Sequence, residues 1–190
     1  MRYIFIFILF SVVSFAQKKS NLSQEVWVDS VYNQLSFEEK VGQLFMVAAY
    51  SNKDEAHNKS IDKLVEENKI GGLIFFQGGP VRQAKLTNRY QAKSKVPMFI
   101  GIDAESGLSM GLDSTYRYPW IMTLGAIQDM KLIEKAGNQM AKQSKRMGIH
   151  FNFAPVVDIN TNPKNPIIGN RSFGETKENV TLRALALMKG

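Results

Sequence analysis

Short continuous apolar runs alternate along this chain with stretches whose apolar residues fall at helical spacing. From Ser23, the positions Trp27, Val31 and Leu35 recur every fourth residue and predict one short amphipathic helix. Ser36-Phe37-Glu38-Glu39 has the form of a capping box, in which Ser36 takes the Glu39 amide and the Glu39 carboxylate reaches back. It opens a second short helix to about Gln43. The apolar run 44–50 then reads as a buried strand or as a continuation of that helix. Ile61, Leu64 and Val65 put one apolar face on a helix ending near Asn68, with His57 at its rim. Gly71-Gly72 stops it, and residues 73–76 form a continuous apolar strand of the kind buried on both sides. Gln77-Gly78-Gly79-Pro80 makes a tight turn into a helix to about Lys93, with Pro80 suited to its first position. The glycine pair lacks the Lys-Ser/Thr of a phosphate-binding loop, so a turn is its reading.

Residues 98–106 begin apolar after Pro97 and end abruptly in two acids. Period-2 alternation sends Met98, Ile100 and Ile102 one way and Phe99, Gly101 and Asp103 the other, with Gly101 leaving open space beneath Asp103. Polar groups at the carboxyl end of a parallel strand sit where ligands bind. Asp103 therefore reads as a ligand-facing acid or, on this segment alone, as a cap for the next turn. A long loop follows, whose Tyr116, Tyr118 and Trp120 either pack beneath it or stack on a sugar ring. Asp129 caps a helix carrying Ile133, Ala136, Gly137, Met140, Ser144 and Met147, and Gly148 ends it. Residues 151–157 read as a strand with Phe151, Phe153 and Val157 outward and Asn152, Ala154, Val156 and Asp158 inward, His150 being structural at its start. A second long loop spans 160–171, and Thr176 begins the last helix.

Strand and helix thus alternate four times, which means parallel strands joined by right-handed crossovers. A closed eight-fold barrel takes roughly 250 residues. The expected fold is α/β: a small open sheet, or the N-terminal half of a TIM-type (β/α)8 barrel. Residues 1–16 stand apart, with Arg2 ahead of an apolar run that ends at Ser14-Phe15-Ala16. They read as a secretory signal peptide cut after Ala16, an uncleaved anchor being the alternative. The run is short for a membrane span, so no stable membrane insertion is expected after cleavage. Domain limits follow: 1–16 leader, 17–35 linker and helix, 36–190 the α/β domain.

Composition narrows the chemistry. Without cysteine there is no disulfide framework, and an exported protein of this kind suits a bacterial periplasm or cell surface. Two histidines, far apart, give no metal spacing, and no cofactor or metal is expected. The net charge of +7 is spread over scattered lysines rather than clustered with aromatics, which argues against nucleic acid. No oligomeric state is read from the pattern.

Six segments in this order resemble the N-terminal barrel domain of glycoside hydrolase family 3, in particular its bacterial β-N-acetylhexosaminidase branch. They are Ser36-Phe37-Glu38-Glu39-Lys40-Val41-Gly42-Gln43-Leu44, Gly71-Gly72-Leu73-Ile74-Phe75-Phe76, Ile102-Asp103-Ala104-Glu105, Met122-Thr123-Leu124-Gly125-Ala126, residues 153–159 and residues 169–174. The resemblance implies that Asp103 and Arg171 bind substrate, accepting from and donating to hydroxyls of the terminal sugar. Without it, Arg171 would read as a surface or loop-bracing residue. It further implies that Asp158 braces its loop and that Glu175 brackets the following helix. The branch commonly carries Asp-Gln-Glu-Gly-Gly-Arg where this chain has Asp103-Ala104-Glu105-Ser106-Gly107-Leu108, so the first glycine and the arginine are replaced.

The family's Lys-His segment, its acid/base histidine loop and its nucleophilic Asp follow this point. No catalytic residue is therefore expected within the chain, and those residues are expected downstream of Gly190. Retaining glycosidases need two groups astride the anomeric carbon, typically carboxyls about 5 Å apart, a role Asp103 and Glu105 do not fill. The parent is expected to be a retaining enzyme that removes terminal β-linked N-acetylhexosamine from cell-wall or chitin-type oligosaccharides, the fragment alone being inactive. The alternatives are a β-glucosidase or xylosidase of the same family and a non-catalytic sugar-binding or scaffold protein. Poor solubility is expected from an open apolar edge at the last strand.

Overall fold

The computed structural model describes residues 23–190, and the expected signal peptide lies outside them. The chain divides into two units between Gln34 and Leu35. In the first, α1 (Gln24–Asn33) is capped by Ser23, whose side chain accepts from the Val26 amide, and it buries none of its residues.

The second unit runs through α2 (Phe37–Gly42), β1 (Met46–Ala49), α3 (Glu55–Glu67), β2 (Gly72–Phe75), α4 (Pro80–Lys93), β3 (Phe99–Ile102), α5 (Ile121–Gly125), α6 (Met130–Arg146), β4 (Phe151–Asn152) and α7 (Lys177–Lys189). Its four strands are parallel and lie in the order β1-β2-β3-β4. This is the sequential βα arrangement of the N-terminal half of a TIM-type barrel. Local chemistry sets the helix starts. Ser36 and Glu39 form the reciprocal capping box, at 3.2 and 3.0 Å. Asp54, Asp129 and Thr176 accept backbone amides at the starts of α3, α6 and α7.

In register, Leu73 and Phe75 lie beside Ile100 and Ile102, and all four are fully buried beneath the helices. Each such side chain contributes roughly 1.5–3 kcal/mol on leaving water. The opposite, concave face carries Met46, Gly72, Phe99, Gly101 and Phe151. Glycines on β2 and β3 make room there for large neighbours. A Cβ on Gly72 would lie 2.9 Å from Met46 Cε, and one on Gly101 would lie 2.8 Å from Phe153 Cε2.

Two expectations are corrected at this face. The space beneath Asp103 is not open, because Phe153 fills it. Phe151 and Phe153 face the concave side with Phe99, while Asn152 pairs with Ile102 on the helix side, the reverse of the expected assignment. The reason is register: Gly101 pairs with Phe151, and in-register residues of parallel strands share a face. β4 is also shorter than the predicted 151–157, since Pro155 brings no N–H to the ladder. Phe153 N–H still donates to Ile102 O at 2.9 Å.

The Gln77–Pro80 segment is a turn whose amides are spent inside the protein. Gly78 N–H donates to Gly111 O, and Gly79 N–H to Ser51 Oγ, both at 3.1 Å. His150 is structural, its Nδ1 accepting the Ile100 amide at 3.0 Å.

Candidate functional site

β3 delivers Asp103 to the carboxyl end of the sheet, and the next residues are fixed to β4 by a side chain. Ala104 N–H donates to Asn152 Oδ1 at 3.0 Å, and Asn152 Nδ2 donates back to Ala104 O at 3.3 Å. The Asn152 amide thereby extends the ladder past the last strand pair. Glu105, one residue on, is buried, and the chain turns at Gly107 with φ +86°. A Cβ at Gly107 would lie 2.6 Å from Tyr118 Cδ2, so the turn is closed by that ring.

The second loop is built from asparagine turns. Asn162 Oδ1 accepts the Lys164 amide, and Asn165 Oδ1 accepts those of Ile167 and Ile168. Ser172 Oγ donates to Asp158 O at 2.6 Å and accepts from Gly174 N–H at 3.1 Å. It is thus the Asp158 carbonyl that braces the loop. These bonds hold a short 3-10 turn, Gly169–Arg171, from which Arg171 reaches back to the first loop.

There Arg171 meets Glu105, not Asp103. Arg171 Nε donates to Glu105 at 3.0 Å and Nη2 at 2.7 Å, while Nη1 donates to Ile167 O at 3.4 Å. A guanidinium has five N–H donors, so two are left without a partner among the described residues. The hydrogen bonds to Glu105 raise the guanidinium pKa; burial opposes them, and the charges of Glu105, Asp158 and Asp103 add to the rise. Asp103 stands within electrostatic reach of Arg171, forms no ion pair with it, and accepts no hydrogen bond among the described residues.

Beside this pair lies a cleft of about 210 Å³, lined by Glu105, Ser106, Ser109, Arg117, Trp120 and Arg171 among others. The Arg117 guanidinium lies 4.6 Å from the Trp120 ring centroid. Tyr118 packs against the buried cluster around Ile121 and Phe173, whereas Tyr116 and Trp120 are exposed. A larger groove of about 500 Å³ between α6, α7 and β4 has walls such as Met140, Ala154, Pro155 and Leu187 and holds neither Asp103 nor Arg171. Among the described residues, no three His, Asp or Glu side chains converge as a metal set.

Sequence reasoning missed Glu105 as the partner of Arg171 and Asn152 as the clasp on Ala104. The fork between Glu105 and Arg171 joins residues 66 apart, a distance over which spacing carries no signal.

Comparison with known proteins gives the architecture its relatives. The glycosyl hydrolase family 3 N-terminal domain matches residues 36–190. β-Hexosaminidase A of Pseudoalteromonas piscicida is 34% identical over 142 residues, covering 68% of this chain and 24% of that protein. A glycoside hydrolase family 3 β-N-acetylglucosaminidase from Paenibacillus sp. str. FPU-7 superposes with a TM-score of 0.72 at 33% identity, over 82% of this chain and 30% of that one. The β-glucoside phosphorylase BglX bound to 2FGlc superposes at 0.81 with 27% identity, over 90% and 31%. The chain therefore spans about a quarter to a third of the length of these relatives. With its four sequential βα units and this match, the chain belongs to glycosyl hydrolase family 3, carrying the N-terminal domain with the sequence features of the β-hexosaminidase branch.

Proposed function

We propose that this chain supplies the terminal-sugar subsite of a retaining glycoside hydrolase that removes β-linked N-acetylhexosamine from cell-wall or chitin-type oligosaccharides. The observation that carries the reading is the pairing of free donors with a free acceptor. Arg171 keeps two N–H groups clear of its fork with Glu105, and the nearby Asp103 carboxylate takes no hydrogen bond among the described residues. A carboxylate and a guanidinium so placed match the acceptors and donors of a polyol. The name of the Pseudoalteromonas relative supports the hexosamine assignment.

Titration of the 190-residue chain with N-acetylglucosamine tests it. Asp103→Ala and Arg171→Ala are each expected to weaken binding about ten- to a hundredfold, the worth of a charged hydrogen bond. Unchanged affinity in both variants overturns the reading. The chain alone is expected to release no nitrophenol from nitrophenyl N-acetylglucosaminide. Glu105 is committed to Arg171, so it and Asp103 do not make the two acting groups the chemistry needs.

A second reading is a β-glucosidase, favoured by the high superposition on a β-glucoside phosphorylase and by a donor–acceptor pair directed at hydroxyls rather than at an acetamide. Comparing glucose with N-acetylglucosamine in the same titration separates the two. Export to the periplasm or cell surface is part of the proposal, supported by the leader pattern of residues 1–16. The mature protein is then expected to begin at Gln17 on N-terminal sequencing.

A further inference from the structure

We propose that Glu105 is a positioning residue whose buried carboxylate holds the Arg171 guanidinium away from Asp103 and Asp158, leaving Asp103 unpaired for a sugar hydroxyl. The functional consequence rests on the subsite reading above; the geometry does not.

Three carboxylates act on one guanidinium. Glu105, Asp158 and Asp103 all act electrostatically on Arg171, but only Glu105 lies within ion-pair distance. Burial decides which acid wins. The Glu105 side chain is 9% exposed, Asp103 is half-buried and Asp158 is exposed. A carboxylate withdrawn from water demands a partner, whereas one that keeps its water gains little from pairing. The fork also fixes direction. With Nε and Nη2 both on Glu105 and Nη1 touching Ile167 O, the plane of the guanidinium is set and its remaining N–H groups cannot swing onto Asp103. Without the Glu105 charge, Arg171, itself one-third exposed, is free to pair with Asp103 or Asp158. Either move dismantles the subsite: the first occupies its acceptor, and the second carries away its donor.

The experiment follows hydrogen exchange of the Arg171 Nε–H in ¹⁵N-labelled 190-residue chain, with the resonance assigned by its loss in Arg171→Lys. Slow exchange is expected in the native chain, unchanged in the Asp103→Asn/Asp158→Asn double variant. Glu105→Gln is expected to stay protected, because Arg171 re-pairs. Only Glu105→Gln combined with both asparagine substitutions is expected to exchange about tenfold faster or more, as for the loss of a charged hydrogen bond. Two results overturn the proposal: Glu105→Gln alone exchanging as fast as the triple variant, or the double variant alone accelerating exchange.

A binding arm uses Trp120 fluorescence in a Trp27→Phe background with N-acetylglucosamine as the probe. Glu105→Gln is expected to weaken binding at least about tenfold, and Glu105→Asp less. Native-like affinity in Glu105→Gln overturns the positioning role. Failure of the native chain to bind overturns the sugar reading instead and leaves the exchange comparison to decide. If circular dichroism shows Glu105→Gln unfolded, Glu105→Asp, which withdraws the charge by one methylene, carries the same exchange comparison.

Discussion

Gly107 shows how one residue sets the position of the candidate site. Its backbone sits at φ +86°, and a methyl group there would enter the Tyr118 ring, whose own amide donates to Ser106 O at 3.1 Å. Strain and overpacking therefore coincide, two residues from Glu105. Gly107→Ala is expected to cost about 1–3 kcal/mol in urea unfolding and to loosen the fork to Arg171, seen as weaker sugar binding. This also gives a physical reason why that glycine is kept where the neighbouring motif positions depart from the family pattern. The two faces of β3 were legible in the sequence, because strict alternation puts Phe99 and Gly101 on one side and the buried Ile100 and Ile102 on the other. What fills the space at Gly101 was not, because Phe153 follows another strand whose register no local pattern specifies. The same limit hid the partner of Arg171.

Between elements, α6 packs closely against α7. A Cβ on Gly137 would lie 2.1 Å from Leu187 O, so the helices touch backbone to backbone there. Gly137→Ala should force them apart and lower stability by about 1–3 kcal/mol despite the better helix propensity of alanine. At the start of α6, Asp129→Ala removes the acceptor for the Lys131 amide, and a loss of about 0.5–2 kcal/mol is expected in the same assay. α6 was legible because its cap, Asp129, and an apolar period agreed over several turns, α3 from the apolar face of Ile61, Leu64 and Val65, and α4 from Pro80 at its first position after the glycine turn. α5 was not. Its five residues bury only Ile121, Leu124 and Gly125, too short a stretch for a period to register, and what holds it is Phe173 from the second loop: a Cβ on Gly125 would lie 2.0 Å from Phe173 O.

Taken together, the second unit has an acid-sensitive joint and an open side. His57 Nε2 accepts the Tyr50 amide, and burial, with Lys53 adding, lowers its pKa while Asp54 opposes. The unfolded chain then binds the proton more readily than the folded one, so stability should fall as pH drops through the ordinary histidine value of about 6.5. His57→Gln, which keeps an acceptor but does not titrate, should flatten urea midpoints between pH 7.5 and 5.5. On the open side, Phe99, Phe151 and Phe153 remain about half exposed on the concave face, and Leu182, Leu185 and Met188 are exposed along α7. These exposed apolar side chains predict concentration-dependent light scattering by the 190-residue chain, reduced by Phe151→Lys. The filling of Gly101 and Gly72 by side chains from adjacent strands has an evolutionary corollary. Volume is conserved across the sheet rather than at any one site, so a lineage that enlarges Gly101 must shrink Phe153 or Met46, and these positions should drift as a linked set.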